Sequence, residues 1–105
     1  MAALTPTNVI GARGRSSELA GDYKLQVLTV TPTTAVDTVT LVRATDKIGT
    51  ILGVSAQIVS GSASTFLTVE ASFSGLVITL TTWNAAGTAA TTWGPVRLLV
   101  IGTDA

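Results

Sequence analysis

The chain contains no cysteine and no histidine. Without cysteine there is neither a disulfide framework nor a thiolate metal site, and the redox compartment leaves no mark on the sequence. Without histidine, the side chain best suited to proton transfer near neutral pH is missing, as is the commonest metal ligand, so no imidazole-based triad can form. Charge is scarce as well: 11% of residues are charged, against about 25% in ordinary soluble domains. Six Lys+Arg balance six Asp+Glu. A chain with no basic excess has little with which to neutralise phosphates, which speaks against DNA or RNA as a partner.

Long apolar runs are also lacking. Stretches such as RLLVIG at 97–102 fall far short of the roughly 20 residues of a membrane helix. The opening MAALTPTNVIGARGR has neither the basic leader nor the continuous apolar core of a secretory signal. The expectation is a chain made in the cytoplasm that crosses no membrane.

What the sequence does have is apolar material: 47% of its 105 residues are hydrophobic, and the mean hydropathy is +0.57. That length suits one domain with a modest core and a thin stability margin. A free monomer needs a charged skin to stay soluble and to avoid edge-to-edge sticking. A chain this poor in charge is therefore expected to hide surface against partners, as an assembly component does.

From Tyr23 onward Thr, Val, Ile and Leu dominate, side chains that suit a pleated surface better than a helix. YKLQVLTVT at 23–31 reads as a strand, followed by a turn around Pro32. AVDTVTLVR at 35–43 sets Asp37, Val39, Leu41 and Arg43 on one side; ATDKIG at 44–49 reads as a turn with Asp46 and Lys47 at a solvated tip. In the next strand, ILGVSAQIVSG at 51–61, Gly49 and Gly53 point to a bulge or close backbone approach.

After a flexible SGSAS connection, TFLTVEASF at 65–73 alternates strictly, with Leu67, Val69, Ala71 and Phe73 facing in. Ser74 and Gly75 give a hairpin signal into LVITLTTW at 76–83. A turn-rich loop, WNAAGTAATTWGP, leads through Pro95 into VRLLVIG. About six strands at even spacing, with no convincing helical period, predict an all-β fold: a small β-sandwich or barrel at 23–105. Residues 1–22 hold Pro6, Gly11, Gly14 and Gly21, lack period-2 patterning, and read as an extended N-terminal arm.

No catalytic constellation stands out. A Ser–Lys pair through Lys24 or Lys47 lies in no recognisable motif, and GARG at 11–14 lacks the spacing of a phosphate loop. The carboxylates Glu18, Asp22, Asp37, Asp46, Glu70 and Asp104 are scattered singly and read as a solvated face. The chain is read as not an enzyme, with no cofactor and no metal. Trp83 and Trp93 flank the NAAGTAATT loop, where core packing, a subunit interface or a ligand platform each suits tryptophan. In the arm, Arg13, Arg15 and Glu18 read as ion-pair anchors for a protein surface, with Val9 and Ile10 as apolar plugs.

DTVTLV, then ILGVSAQIVSG, then a Phe/Leu/Val strand with a short hairpin into LVITL, then WNAAGTAATTWGP leading into VRLLVIG: in this order the chain resembles the small β-rich capsid decoration, or cement, proteins of tailed bacteriophages, over Asp37 to Gly102. The resemblance implies a homotrimer on the virion's capsid surface that binds the major capsid protein and glues neighbouring subunits. By position, residues 1–22 become an arm reaching over adjacent protein, and there are no catalytic residues to carry over. No nucleic acid, membrane or small-molecule substrate is expected as partner. Two rivals remain: a phage tail or head-fibre structural protein, and a carbohydrate- or peptide-binding β-module that uses Trp83 and Trp93.

Overall fold

The computed structural model describes residues 2–8, 17–20, 23–60 and 65–104. In chain order the elements are β1 (Ala3–Leu4), β2 (Thr7–Asn8), β3 (Ser17–Ala20), β4 (Tyr23–Val30), β5 (Val36–Thr40), a single helical turn α1 (Arg43–Asp46), β6 (Ile48–Ile58), β7 (Thr68–Ser74), β8 (Val77–Trp83) and β9 (Val96–Asp104). Strands β1-β5-β8-β7 form one sheet and β2-β4-β9-β6 the other, with β3 also pairing β4. The all-β expectation holds, in its sandwich form, with six strands of five residues or more among the described residues.

Alternation places the core. Gln26, Leu28 and Val30 of β4 stand directly opposite Val100, Leu98 and Val96 of β9, and all six are buried. From the other sheet come Val39 of β5, opposite Ile78 of β8, and Leu80, also of β8, all fully buried. Each such leucine, isoleucine or valine stabilises the fold by roughly 1.5–3 kcal/mol relative to exposure. Phe66 and Ala90, on the connections flanking the β7–β8 hairpin, close the same cluster.

The described parts of the segment read as an arm, 2–8 and 17–20, hydrogen-bond into the body's own sheets. β1 runs parallel to β5, with Ala3 opposite Thr38, while β2 and β3 both lie antiparallel along β4. The chain thus passes from one sheet to the other within its first eight residues, with Pro6 buried at the crossing. Val9, Ile10, Arg13 and Arg15 lie outside the described residues, as do 61–64 of the SGSAS connection.

Several local readings shift. The β7–β8 hairpin exists, but its two loop residues are Gly75 and Leu76, since Ser74 pairs Val77. Gly75 takes φ +59 and no positive φ occurs at Leu76, the pattern of a type II′ turn. Leu67 and Phe73, expected to face in, are exposed; Leu67 precedes the strand, and Phe73 lies near the end of β7, the outermost strand of its sheet. The glycine signal in β6 is borne out, with register shifts between Ile48 and Thr50 and between Ile51 and Gly53.

The solvated reading of the carboxylates is corrected at Asp37 and Asp46, both completely buried. ATDKIG is a helical turn and not an open loop: Lys47 closes it as an exposed left-handed residue, φ 61, whose N–H donates to the Arg43 carbonyl. That turn swings Asp46 inward. Its Oδ2 accepts the Val42 N–H at 2.6 Å, and its carbonyl accepts the Gln26 side-chain amide at 3.2 Å. Gln26 Oε1 has no hydrogen-bond partner among the described residues.

Candidate interaction surface

Directly paired residues in a sheet share a face, so the ladder that builds the core also fixes the opposite surface. On the outer face of the five-stranded sheet, Leu25 stands opposite Ile101 and Val27 opposite Leu99, with Tyr23 and Thr103 at one end of the rows and Thr29 and Arg97 at the other. β6 continues these rows with small or polar residues: Gly53 beside Ile101, Ser55 beside Leu99, Gln57 beside Arg97. Tyr23 is 50% exposed, Ile101 42% and Leu99 38%; Leu25 and Val27 are half-buried. The result is an apolar band two strands wide on a face the core does not use. Within the run RLLVIG, Leu98 and Val100 are fully buried while Leu99 and Ile101 are exposed on the opposite face.

Asp37 is the most polar buried site. Its Oδ2 accepts the Thr33 N–H at 2.7 Å and the Thr34 N–H at 3.1 Å, while Oδ1 accepts the Ala2 N–H at 2.9 Å and the Thr34 hydroxyl. Burial pushes this carboxyl up; the donors from Thr34, Thr33 and Ala2 together outweigh it and hold Asp37 below the usual carboxylate range. All these donors belong to the turn before β5 and to the start of the chain, so the carboxylate acts as an anchor that pins both to the sheet edge.

Trp83 ends β8, paired with Thr68 across the ladder and bridged to Ala89. Trp93 packs against the core, and its Nε1 donates to Thr82 Oγ1 at 3.0 Å. Both indoles are half-buried. The loop between them is organised by Asn84, whose Oδ1 accepts the N–H groups of Ala86 at 3.0 Å and Thr88 at 3.1 Å, and whose Nδ2 donates to the Ala89 carbonyl at 3.4 Å. Sequence reasoning singled out the tryptophans and missed Asn84. An Asn directly before a Gly/Ala/Thr stretch is the available signal, because its side chain copies a backbone turn.

Glu18 of β3 lies opposite Lys24 in the backbone register. Lys24 and Lys47, the lysines considered for a Ser–Lys pair, lie on different elements: Lys24 half-buried on β4, Lys47 exposed at the end of the helical turn. Among the described residues no three His, Cys, Asp or Glu side chains gather into a metal-binding group. No helix among them is long and apolar enough to cross a membrane. No family model, curated protein or solved structure matches the chain.

Proposed function

We propose that this chain is a structural virion protein, a capsid decoration or cement protein that stabilises a tailed-phage head by bridging neighbouring major capsid protein subunits. The observation that carries the reading is the apolar band of Leu25, Val27, Leu99 and Ile101, bordered by Tyr23, on a chain of zero formal net charge. Contiguous apolar surface of this kind marks an interaction site, and the order of segments from Asp37 to Gly102 resembles the cement proteins. The chain works by binding and not by turnover: each subunit that docks on the assembled shell, and not on its dissociated parts, stabilises the shell by mass action. It would be made in the host cytoplasm, end on the capsid surface, and act there as the homotrimer that the resemblance implies.

The test uses heads of the phage that encodes the chain, stripped of it and incubated with the purified protein. Wild type should co-sediment with the heads and raise their disruption temperature. Leu99→Asp combined with Ile101→Asp should remove attachment while the chain keeps its far-ultraviolet β signal. Attachment to tails or fibres alone would replace the head reading. Undiminished co-sedimentation of the double variant would sink the assignment of this face.

A further inference from the structure

The row that closes one end of the apolar band holds a charge. By register, Thr7, Thr29, Arg97 and Gln57 lie side by side across β2, β4, β9 and β6, and among the described residues Arg97 is the single charged residue on this outer face. Arg97 is half-buried. Its Nε is enclosed by protein, and the N–H there finds no acceptor among the described residues. None of the described carboxylates is placed to serve it. Asp104, Asp46 and Glu18 lie toward the far end of β9, while Asp37 and Glu70 belong to the other sheet.

Water can solvate the guanidinium while the face is bare, but a docked partner changes that. Leu99, 38% exposed, is the next residue on the same face of β9, roughly 7 Å along the strand. A partner that covers Leu99 therefore also strips water from Arg97. A desolvated cation without a counter-charge costs more than burial of one apolar side chain returns.

We infer that the partner docking on this face presents a carboxylate, from an Asp or Glu, that receives the Arg97 guanidinium at the border of an apolar patch. This rests on the capsid reading and adds the chemistry of the capsid surface that the band would meet. A carboxylate is the acceptor because its oxygens, held in one plane, match the guanidinium's fork of N–H donors, and such charge-assisted pairs are short and strong. A nucleic acid would call for several cations along its phosphates, and this face has one, on a chain of zero formal net charge. Tyr23, at the other end of the band, is six residues from Thr29 on β4, roughly 20 Å away. The capsid surface that fits has an acidic residue at one end of an apolar patch of about that length.

The test is binding of wild type, Arg97→Leu and Arg97→Lys to stripped phage heads, by co-sedimentation over a range of protein concentrations. Far-ultraviolet spectra and denaturant midpoints check that each variant is folded. Leucine enlarges the apolar surface, so docking by apolar contact alone would leave Arg97→Leu bound as tightly as wild type or more tightly. The carboxylate reading expects it to bind about tenfold or more weakly, because the capsid acid is then buried without a partner. Should leucine unfold the chain, Arg97→Gln carries the same comparison with the same expected loss. Arg97→Lys keeps the charge and adds a primary amine, so carbodiimide treatment of its complex with heads should join position 97 to an Asp or Glu of the capsid. Wild type, with no amine at that position, is the control. A folded Arg97→Leu that binds as tightly as wild type would overturn the inference and leave the capsid reading standing, as would bound Arg97→Lys that yields no such cross-link. A wild type that does not bind heads would remove both.

Discussion

The Asp37 carboxylate accepts the backbone N–H of Ala2 at 2.9 Å, a contact between residues 35 apart in sequence. This places the beginning of the chain inside the ligand shell of a buried anion. The pairing has a pH signature with a definite sign. The folded carboxyl titrates below its unfolded value, which is about 3.9, so as pH falls the unfolded chain takes up the proton first. The stability contributed by Asp37 is complete above about pH 4 and is lost as pH drops through the folded value. Urea midpoints should therefore fall below about pH 4 in wild type. Asp37→Asn should be less stable at pH 7 by about 1–3 kcal/mol, because it leaves buried donors facing a weaker or mismatched acceptor, and should lack part of the acid slope. An acid slope identical to that of wild type would show that Asp37 is not its source.

Gly102 and Gly53 lie on neighbouring strands of one sheet and should answer an added methyl in opposite ways. A Cβ at Gly102 would overlap the Thr50 carbonyl oxygen and sit 2.8 Å from Ile48 Cγ2, whereas at Gly53 it would meet nothing within 4 Å. Gly102→Ala is expected to cost about 1–3 kcal/mol as an overpacked site. Gly53→Ala is expected to be neutral or to stabilise by up to about 1 kcal/mol through the unfolded state. Denaturant midpoints of the two variants check the contrast; equal midpoints would contradict it.

Trp93 and Thr82 are joined by a single hydrogen bond, and Thr82 Oγ1 also donates to the Ala35 carbonyl at 3.1 Å. Trp93→Phe and Thr82→Val should each cost about 1 kcal/mol. The double variant should fall short of the sum by about 0.5 kcal/mol or more, since the second change removes a partner already lost. Strict additivity in a double-mutant cycle would mean that the bond contributes nothing to stability.

How far this architecture could be read from the sequence depended on the range of the cause. Alternation in YKLQVLTVT located β4, and the same phase set Asp37 on the face of Val39 and Leu41, both buried. The phase was legible; the donors that make burial tolerable for a carboxylate were not, because one of them arrives from Ala2. Asp46 left no periodic signal, since a four-residue helical turn is too short to show one. Two-residue and four-residue strands likewise fall below the length at which alternation speaks, so β1, β2 and β3 were hidden in a segment read as irregular. Gly102 stands at a close approach created by a bulge in another strand, and nothing near it in sequence announces that. The apolar band could not be separated from core either, for an unbroken apolar run records no preference between its two faces.

The placement of β9 between β4 and β6 governs the order in which a ribosome can release finished structure. The β7–β8 hairpin and its pairing with β5 involve residues synthesised before β9 and can close early. β4 and β6, however, emerge without the strand that separates them and must wait, with apolar faces uncovered, until Val96–Asp104 leaves the exit tunnel. Such late, long-range pairing slows folding and leaves nascent chains open to mispairing. Crowded polysomes making this protein are thus where chaperone engagement should be greatest, and slower translation ahead of Val96 would only lengthen the exposure.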